Sequence, residues 1–207
     1  MATIGLNELH YAEITEDENG YESYGIPQRI TGVINASLVI NTSETQLRAD
    51  GECIDTVTVF DGGTFGINVC DIGADIAAKF LGCRIDKNGV LIQAKENKPK
   101  AVAIGFRSLK SDGNYKFVWL YRVVFGVPAT EHNTNGELVN FTTQRLEGKI
   151  YPRNRPDSVG ENVWKAERDD SSLLHLSQGS IIDQKYDTNK ITNLNWFDAV
   201  YEPDCSK

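Results

Sequence analysis

Two long apolar runs on either side of an Asp-Gly turn constrain the fold of this chain more than any other feature. Residues 101–110 and 115–127 flank the segment Ser111-Asp112-Gly113-Asn114. Asp-Gly between two alternating apolar runs predicts a β-hairpin, because both residues accept the positive φ of a two-residue turn. A strand of about a dozen residues spans on the order of 40 Å, roughly twice the usual strand length.

The returning strand of this hairpin is predicted to be apolar on both faces. Strict alternation assigns to one face Tyr115, Phe117, Trp119, Tyr121, Val123, Phe125 and Val127. It assigns to the other face Lys116, Val118, Leu120, Arg122 and Val124. Long strands with two apolar faces are typical of large barrels, or of sheets that a neighbouring molecule continues.

The rest of the chain predicts a mainly β domain over residues 1–207 with one flanking α-helix. Further strands are expected over 4–15, 29–41, 56–60, 64–69 and 138–150, with a small Asn-Gly hairpin over 84–92. The polar segment Thr42–Asp55 is expected to form a long protruding arm between two strands. A helix is predicted over Asp71–Leu81, with Asp71 as the N-cap and Gly82 as the stop.

The C-terminal quarter of the sequence carries weaker structural signals. The chain from Pro152 to Lys190 is polar, without a periodic pattern, and is expected to be irregular. Residues 191–201 are predicted to form a short amphipathic helix that carries Leu194, Trp196, Phe197 and Val200.

Charge is divided unevenly along the chain. The net charge of −8 is made up of −10 over residues 1–83, +7 over residues 84–155 and −5 over residues 156–207. Two explanations stay open: the opposite charges meet inside one subunit, or the acidic surface of one copy meets the basic surface of the next. The acidic balance argues against tight, sustained DNA binding, because no basic surplus displaces counterions.

Motifs for catalysis, metals or cofactors do not emerge from the sequence. Four cysteines lack Cys-x-x-Cys spacing, and three histidines lie apart from any nucleophile motif. We therefore expect neither an enzyme nor a cofactor, and we expect the thiols to be mostly buried. No apolar run reaches the roughly 18 residues of a membrane span, and the start lacks a signal-peptide pattern, so the product is expected to stay in the cytosol.

Several short segments, in order along nearly the whole chain, carry a family resemblance. They are Ala2-Thr3-Ile4-Gly5-Leu6, Tyr11-Ala12, Ile14-Thr15-Glu16-Asp17, the acidic arm, the Asp71-to-Gly82 helix, Ala103-Ile104-Gly105-Phe106-Arg107-Ser108-Leu109-Lys110, Trp119-Leu120-Tyr121, Phe125-Gly126-Val127-Pro128, Glu147-Gly148 and Trp196-Phe197-Asp198-Ala199-Val200-Tyr201-Glu202-Pro203. Together they resemble the major tail tube protein of long-tailed, non-contractile (siphovirus-type) phages that infect Gram-positive bacteria. Residues from about 169 to 190 depart from the family pattern and are therefore interpreted as an insert.

The resemblance implies a β-sandwich subunit that forms hexameric rings, which stack into a hollow tail tube in the virion. Each subunit would contribute four strands to one continuous barrel, and the tube would conduct the phage genome into the host. The partners implied are sister copies, the tape-measure protein and double-stranded DNA in the lumen, and tail terminator and distal tail proteins at the tube ends. The subunit would be made in the host cytoplasm, with no membrane partner.

The candidate functional residues are the charged residues of the predicted arm and one acid of the turn that follows the next strand. They are Glu44, Arg48, Asp50, Glu52 and Asp55 in the arm, and Asp61 in the turn. The acids are candidates either for an acidic lumen that repels DNA phosphates, over roughly 8 Å at physiological salt, or for contacts between rings.

Two other functions fit the sequence. One is a secretion-tube subunit of a contractile injection or type VI system, which would share the fold and carry effectors where the tail tube carries DNA. The other is a monomeric carbohydrate-binding β-sandwich with Trp164 or Tyr151 as its aromatic platform.

Overall fold

A computed structural model describes residues 2–49, 52–128, 143–169 and 196–203. The described part is mainly β with one helix, as predicted. The strands are β1 Thr3–Glu16, β2 Glu22–Tyr24, β3 Gln28–Ile30, β4 Val33–Ala49, β5 Glu52–Val69, β6 Arg84–Ile85, β7 Leu91–Ile92, β8 Ala101–Lys110, β9 Tyr115–Phe125, β10 Gln144–Tyr151 and β11 Lys165–Asp169. The helix is α1 Ala74–Leu81.

One antiparallel sheet contains every strand except the β6–β7 hairpin. Its order is β2-β1-β8-β9-β10-β5-β4, with β3 also paired to β1 and β11 also paired to β9. Strand β9 therefore has β8 along one edge and β10 and β11 in succession along the other. Strand β4 lies at the end of this order, and its described pairing is with β5.

The hairpin predicted over 101–127 is confirmed, with its second strand ending at Phe125, but its turn differs in detail. Of the turn residues, Gly113 alone has a positive φ, at 84°. The Gly113 N–H donates to the Lys110 carbonyl at 3.0 Å, and the Asp112 carboxylate accepts from the Asn114 N–H at 3.1 Å. The loop is therefore longer than a two-residue turn and needs one glycine rather than two residues with positive φ.

Strict alternation along β9 is wrong beyond Tyr121, because a β-bulge interrupts it. The pairing with β8 moves from Ile104 opposite Leu120 to Val102 opposite Val123, so three residues of β9 span two residues of β8. Such an extra residue reverses the alternation of the side chains that follow. The residues of β9 in the main core are consequently Val118, Leu120, Val123 and Phe125.

Both faces of β9 are covered within this chain. The main core lies on one face, where Phe80 of α1 stacks on Phe125 with ring centroids 4.7 Å apart. A second apolar cluster lies on the opposite face, where Trp196 and Val200 of the C-terminal segment pack on residues of β1, β8 and β9. The apolar faces of the long hairpin are thus buried without a neighbouring molecule.

The helix follows the prediction at its end but not at its start. Gly82 ends it in the left-handed conformation at φ 64°. A β-carbon at Gly82 would lie 2.0 Å from the Lys98 carbonyl oxygen, so glycine alone fits there. At the start Gly73 is the N-cap and no side chain caps the helix, so the assignment of this role to Asp71 is wrong.

The C-terminal part differs from the prediction in two places. Residues 165–169, expected to be irregular, form β11 against β9. The interpreted insert lies outside the described residues apart from Asp169. Of the predicted helix over 191–201, residues 191–195 also lie outside them, and 196–199 form a turn and bend rather than an α-helix.

Gly105 supports the second cluster by leaving room for Trp119 on the paired strand. A β-carbon at position 105 would lie 2.5–2.7 Å from three ring carbons of Trp119. We expect Gly105→Ala to displace this buried ring and to lower the free energy of unfolding by about 1–3 kcal/mol, measured by urea denaturation. Gly5→Ala is the control, because a β-carbon there has no atom within 4 Å. Equal stability of the two variants would contradict the packing described.

Candidate interaction surface

Strands β4 and β5 form a hairpin that extends well beyond the core. They contain 17 and 18 residues, and their inner halves pack on the core through residues such as Leu38 and Phe65. The last contact with the core cluster is at Phe60, whose ring stacks on Trp164 with centroids 4.4 Å apart. Beyond it, side chains 41–48 and 54–59 are exposed. We call residues 42–49 and 52–60 the hairpin arm.

The predicted polar arm is regular β-structure for most of its length. Thr42 pairs with Phe60, and pairing continues outward to Ala49 opposite Glu52. Two paired strands form this part, and the Phe60–Trp164 stack at its base joins it to the core. A two-stranded hairpin is marginally stable by itself in water, so the hairpin arm is a segment that gains from contact with another surface.

The two faces of the hairpin arm differ in polarity. Paired residues of adjacent antiparallel strands project to the same face, and successive pairs alternate. One face carries the pairs Ser43–Val59, Thr45–Val57 and Leu47–Asp55. On this apolar face Leu47, Val57 and Val59 are each more than half exposed. The other face is polar beyond Phe60, with the pairs Glu44–Thr58 and Gln46–Thr56.

A β-bulge at the base of the hairpin arm determines this arrangement. Ile40 pairs with Gly63 and Thr42 with Phe60, so β5 has one more residue than β4 at Asp61-Gly62. Gly62 has a φ of 105°, a conformation that residues with a side chain rarely adopt. The bulge therefore lies where the core contacts end and the exposed arm begins.

The structure separates the predicted site residues instead of clustering them. Glu44 lies on the polar face and Asp55 on the apolar face. Arg48 makes a long 3.5 Å contact with Gln46, and Asp61 lies in the basal bulge, 3.4 Å from the Ser43 hydroxyl. Glu52 is exposed near the distal end. Asp50 lies outside the described residues. These charges were identified from the sequence, but no role was assigned to the exposed apolar side chains between them, which are Leu47, Ile54, Val57 and Val59.

The edge of β4 is a second feature of this surface. In the described structure β4 ends the sheet, so its outward backbone groups have no strand partner. Exposed edge strands are usually protected by lysine, proline or short length. β4 has 17 residues without lysine or proline, and its exposed side chains include Ile34 and Val39. An edge of this kind is suited to pair with another strand.

The outer sheet face next to the hairpin arm contains an open apolar groove of about 660 Å³. Its apolar lining consists of Pro99, Val124, Phe125, Val127, Pro128 and Tyr151. Val127 is 69% exposed, and Tyr151 is exposed as well. Charged side chains of β10 complete the lining: Arg145 and Glu147 form an ion pair at 2.8 Å, and Lys149 lies further along the strand.

The most buried carboxylate has a structural partner rather than a reactive one. The side chain of Glu22 is fully buried, contacts the Arg122 guanidinium and accepts a hydrogen bond from the Asn154 N–H at 3.2 Å. Burial raises the pKa of Glu22, while Arg122 opposes this shift. The contact joins β2 to β9 and to the chain after β10.

Within the described ranges, no group of three His, Cys, Asp or Glu side chains is placed to hold a metal ion. Cys70 is exposed and Cys83 half-buried, so the expectation of mostly buried thiols is wrong for Cys70.

No helix in the described part of the chain is long and apolar enough to cross a membrane. No protein-family model and no curated protein sequence matches this chain.

The Glu22–Arg122 contact predicts a pH-dependent loss of stability. Arg122→Met leaves a buried carboxylate without its cation, which typically costs about 3–5 kcal/mol at neutral pH. It also raises the pKa of Glu22 further above the value of 4.5 in the unfolded chain. The folded variant then binds more protons than the unfolded chain above that value, so its stability falls as the pH rises.

Chemical denaturation at pH 5 and pH 8 measures this effect. We expect the difference between wild type and Arg122→Met to be larger at pH 8. Arg155→Met is the control, because its ion pair with Glu202 is partly exposed and worth at most about 1 kcal/mol. A loss that is equal at both pH values would show that Glu22 does not depend on Arg122.

Proposed function

We propose that this chain is the structural subunit of a phage tail tube. Copies form hexameric rings, the rings stack, and the genome passes through the lumen. The observation that carries the proposal is the β4–β5 hairpin, with its unpaired edge and its exposed apolar residues. The ordered family resemblance described above supports the same function.

Self-association follows from what the hairpin leaves exposed. Complete burial of Leu47, Val57 and Val59 on a partner is worth roughly 1.5–3 kcal/mol for each side chain. Pairing of the β4 edge with a strand of a sister copy would satisfy its outward backbone groups. Both contacts join two different surfaces, and such heterologous contacts produce closed rings or open filaments according to the rotation between copies.

The proposed barrel takes four strands from each subunit, as the family resemblance implies, and β4 is the edge of the described sheet that is open to a sister copy; β4, β5, β10 and β9 are adjacent in this order, with β8 on the far edge of β9. Six copies would supply about 24 strands, which, spaced about 4.8 Å apart and tilted near 40°, close a ring roughly 40–50 Å across. Val39, Thr64, Lys149 and Val124 are successive cross-strand neighbours on one face of these strands. This face is mixed in polarity, and Val39 and Lys149 on it are exposed.

The proposed conduit is passive. Glu44, Glu52, Asp55 and Asp61 are the described acids available to repel DNA phosphates or to make contacts between rings, and screening limits repulsion to roughly 8 Å at physiological salt. A duplex that is repelled at short range slides without adhering to the wall. The proposed lumen partners are therefore DNA and the tape-measure protein, each held only in transit.

A secretion-tube subunit is the alternative that shares this assembly. A tape-measure gene directly downstream would support the phage tail, and a neighbouring sheath gene would support the secretion tube. For the monomeric carbohydrate binder, the stack of Trp164 on Phe60 counts against this residue as a platform, whereas Tyr151 is exposed.

Negative-stain electron microscopy of the purified protein tests the proposal directly. We expect annular rings and stacked tubes above a critical concentration. Particles that stay monomeric at every concentration and ionic strength tried would overturn it.

Removal of the hairpin arm tests its role in elongation. Replacement of residues 43–59 by Asn-Gly keeps the Thr42–Phe60 pair and the Phe60–Trp164 stack. We expect this variant to fold and to yield monomers or single rings that do not lengthen, as counted in micrographs. Tubes of normal length would exclude the arm from stacking.

A point variant distinguishes loss of the apolar face from loss of the whole segment. Val57→Asp with Val59→Asp is expected to reduce elongation as the deletion does. The matched control is Val90→Asp with Val159→Asp, which adds the same charge at positions that are also more than half exposed. The control is expected to form tubes like the wild type.

A further inference from the structure

The hairpin arm and the apolar groove of this chain have complementary properties. The groove presents exposed Val127 and Tyr151 beside Val124. The hairpin arm presents Leu47, Val57 and Val59 on one face. Each is an apolar surface, and each would lose unfavourable contact with water if it met the other.

Their charges are opposite as well. Around the groove, Arg145 and Lys149 line the wall, and Lys98 and Lys100 are exposed on either side of Pro99. With Glu147 as the one acid of the lining, this set has a net charge of +3. The arm and its base carry four described acids against Arg48, a net charge of −3; the acids are Glu44, Glu52, Asp55 and Asp61.

The charges also occupy suitable positions. Asp55 shares the apolar face with Leu47, so an acid accompanies the apolar side chains. Lys149 likewise lies beside the apolar lining of the groove, at the position that pairs with Val124. An apolar centre with opposite charges at its rim is the usual anatomy of a specific protein interface.

We infer that the apolar face of the hairpin arm of one copy binds in the Val124–Val127–Tyr151 groove of a neighbouring copy. Asp55 and Glu52 then lie near Lys149 and Lys100. This inference rests on the proposed function and names the acceptor surface for the arm. A second cleft between the ends of β1 and β4 is a poorer acceptor, because no charged side chain lines it.

Charge reversal on each surface tests the pairing. The arm variant is Glu52→Lys with Asp55→Lys, and the groove variant is Lys100→Glu with Lys149→Glu. All four side chains are exposed, so the melting temperatures should match that of the wild type. The readout is the critical concentration for tube formation at low salt, measured by sedimentation and checked by negative stain.

We expect each variant alone to raise the critical concentration at least about tenfold, because like charges then meet across the contact. The two variants combined in one chain should return to within about threefold of the wild type, since both partners are reversed. Raising the salt should shrink the effect of each single variant.

The matched control combines the arm variant with Arg84→Glu and Lys87→Glu, which reverse two exposed cations of the β6–β7 hairpin. It makes the same change in net charge away from the groove. Recovery in the groove combination but not in this control supports the inference. Equal recovery in both, or recovery in neither, overturns it while leaving the tube intact. A wild-type chain that never polymerises overturns the proposed function instead.

Discussion

The fold depends on strand β9, which is the strand with the most complete surroundings in the described structure. It is hydrogen-bonded to β8 on one edge and to β10 and β11 on the other, so its backbone groups are satisfied along both edges. Its side chains enter two separate apolar clusters, one on each face. Helix α1 packs on one face of this strand and the C-terminal segment packs on the other.

The β4–β5 hairpin has the opposite surroundings. It is anchored at its base by side chains such as Phe65 and then leaves the core with both faces exposed. The contrast shows where apolar side chains of the described structure stay exposed. The long central hairpin, whose sequence suggested an incomplete sheet, is covered on both faces within this chain. The segment that was predicted as a polar protruding arm carries exposed apolar side chains instead.

Patterns with a local cause were predictable from the sequence. The 101–125 hairpin follows from alternation and an Asp-Gly turn, and Gly82 ends the helix because only glycine fits beside Lys98. Strand β11 was missed because Lys-Ala-Glu-Arg-Asp has neither β-branched residues nor apolar alternation, and its strand form comes from pairing with β9. The helix start was misassigned because Gly73, closer to the first turn, is the cap.

Site residues were predictable as charges but not as a surface. The sequence indicates an acidic segment, and the acids Glu44 and Asp55 are indeed exposed there. Their separation onto opposite faces depends on strand register, which alternation alone does not determine once bulges intervene. The groove was not predictable either, since it joins residues of β9, β10 and the Pro99 segment that are distant in sequence.

The bulge at Asp61-Gly62 determines on which side of the sheet the β5 side chains of the hairpin arm lie. In β5 the odd-numbered residues Phe65, Ile67 and Val69 point into the core. If the alternation continued without a bulge, the odd-numbered residues Val57 and Val59 would also point to the core side of the sheet. Because β5 has one additional residue at the bulge, both valines lie on the opposite side of the sheet. A single inserted residue thus places Val57 and Val59 on the same side of the sheet as Leu47, and its deletion would turn both valines to the core side while Leu47 kept its place.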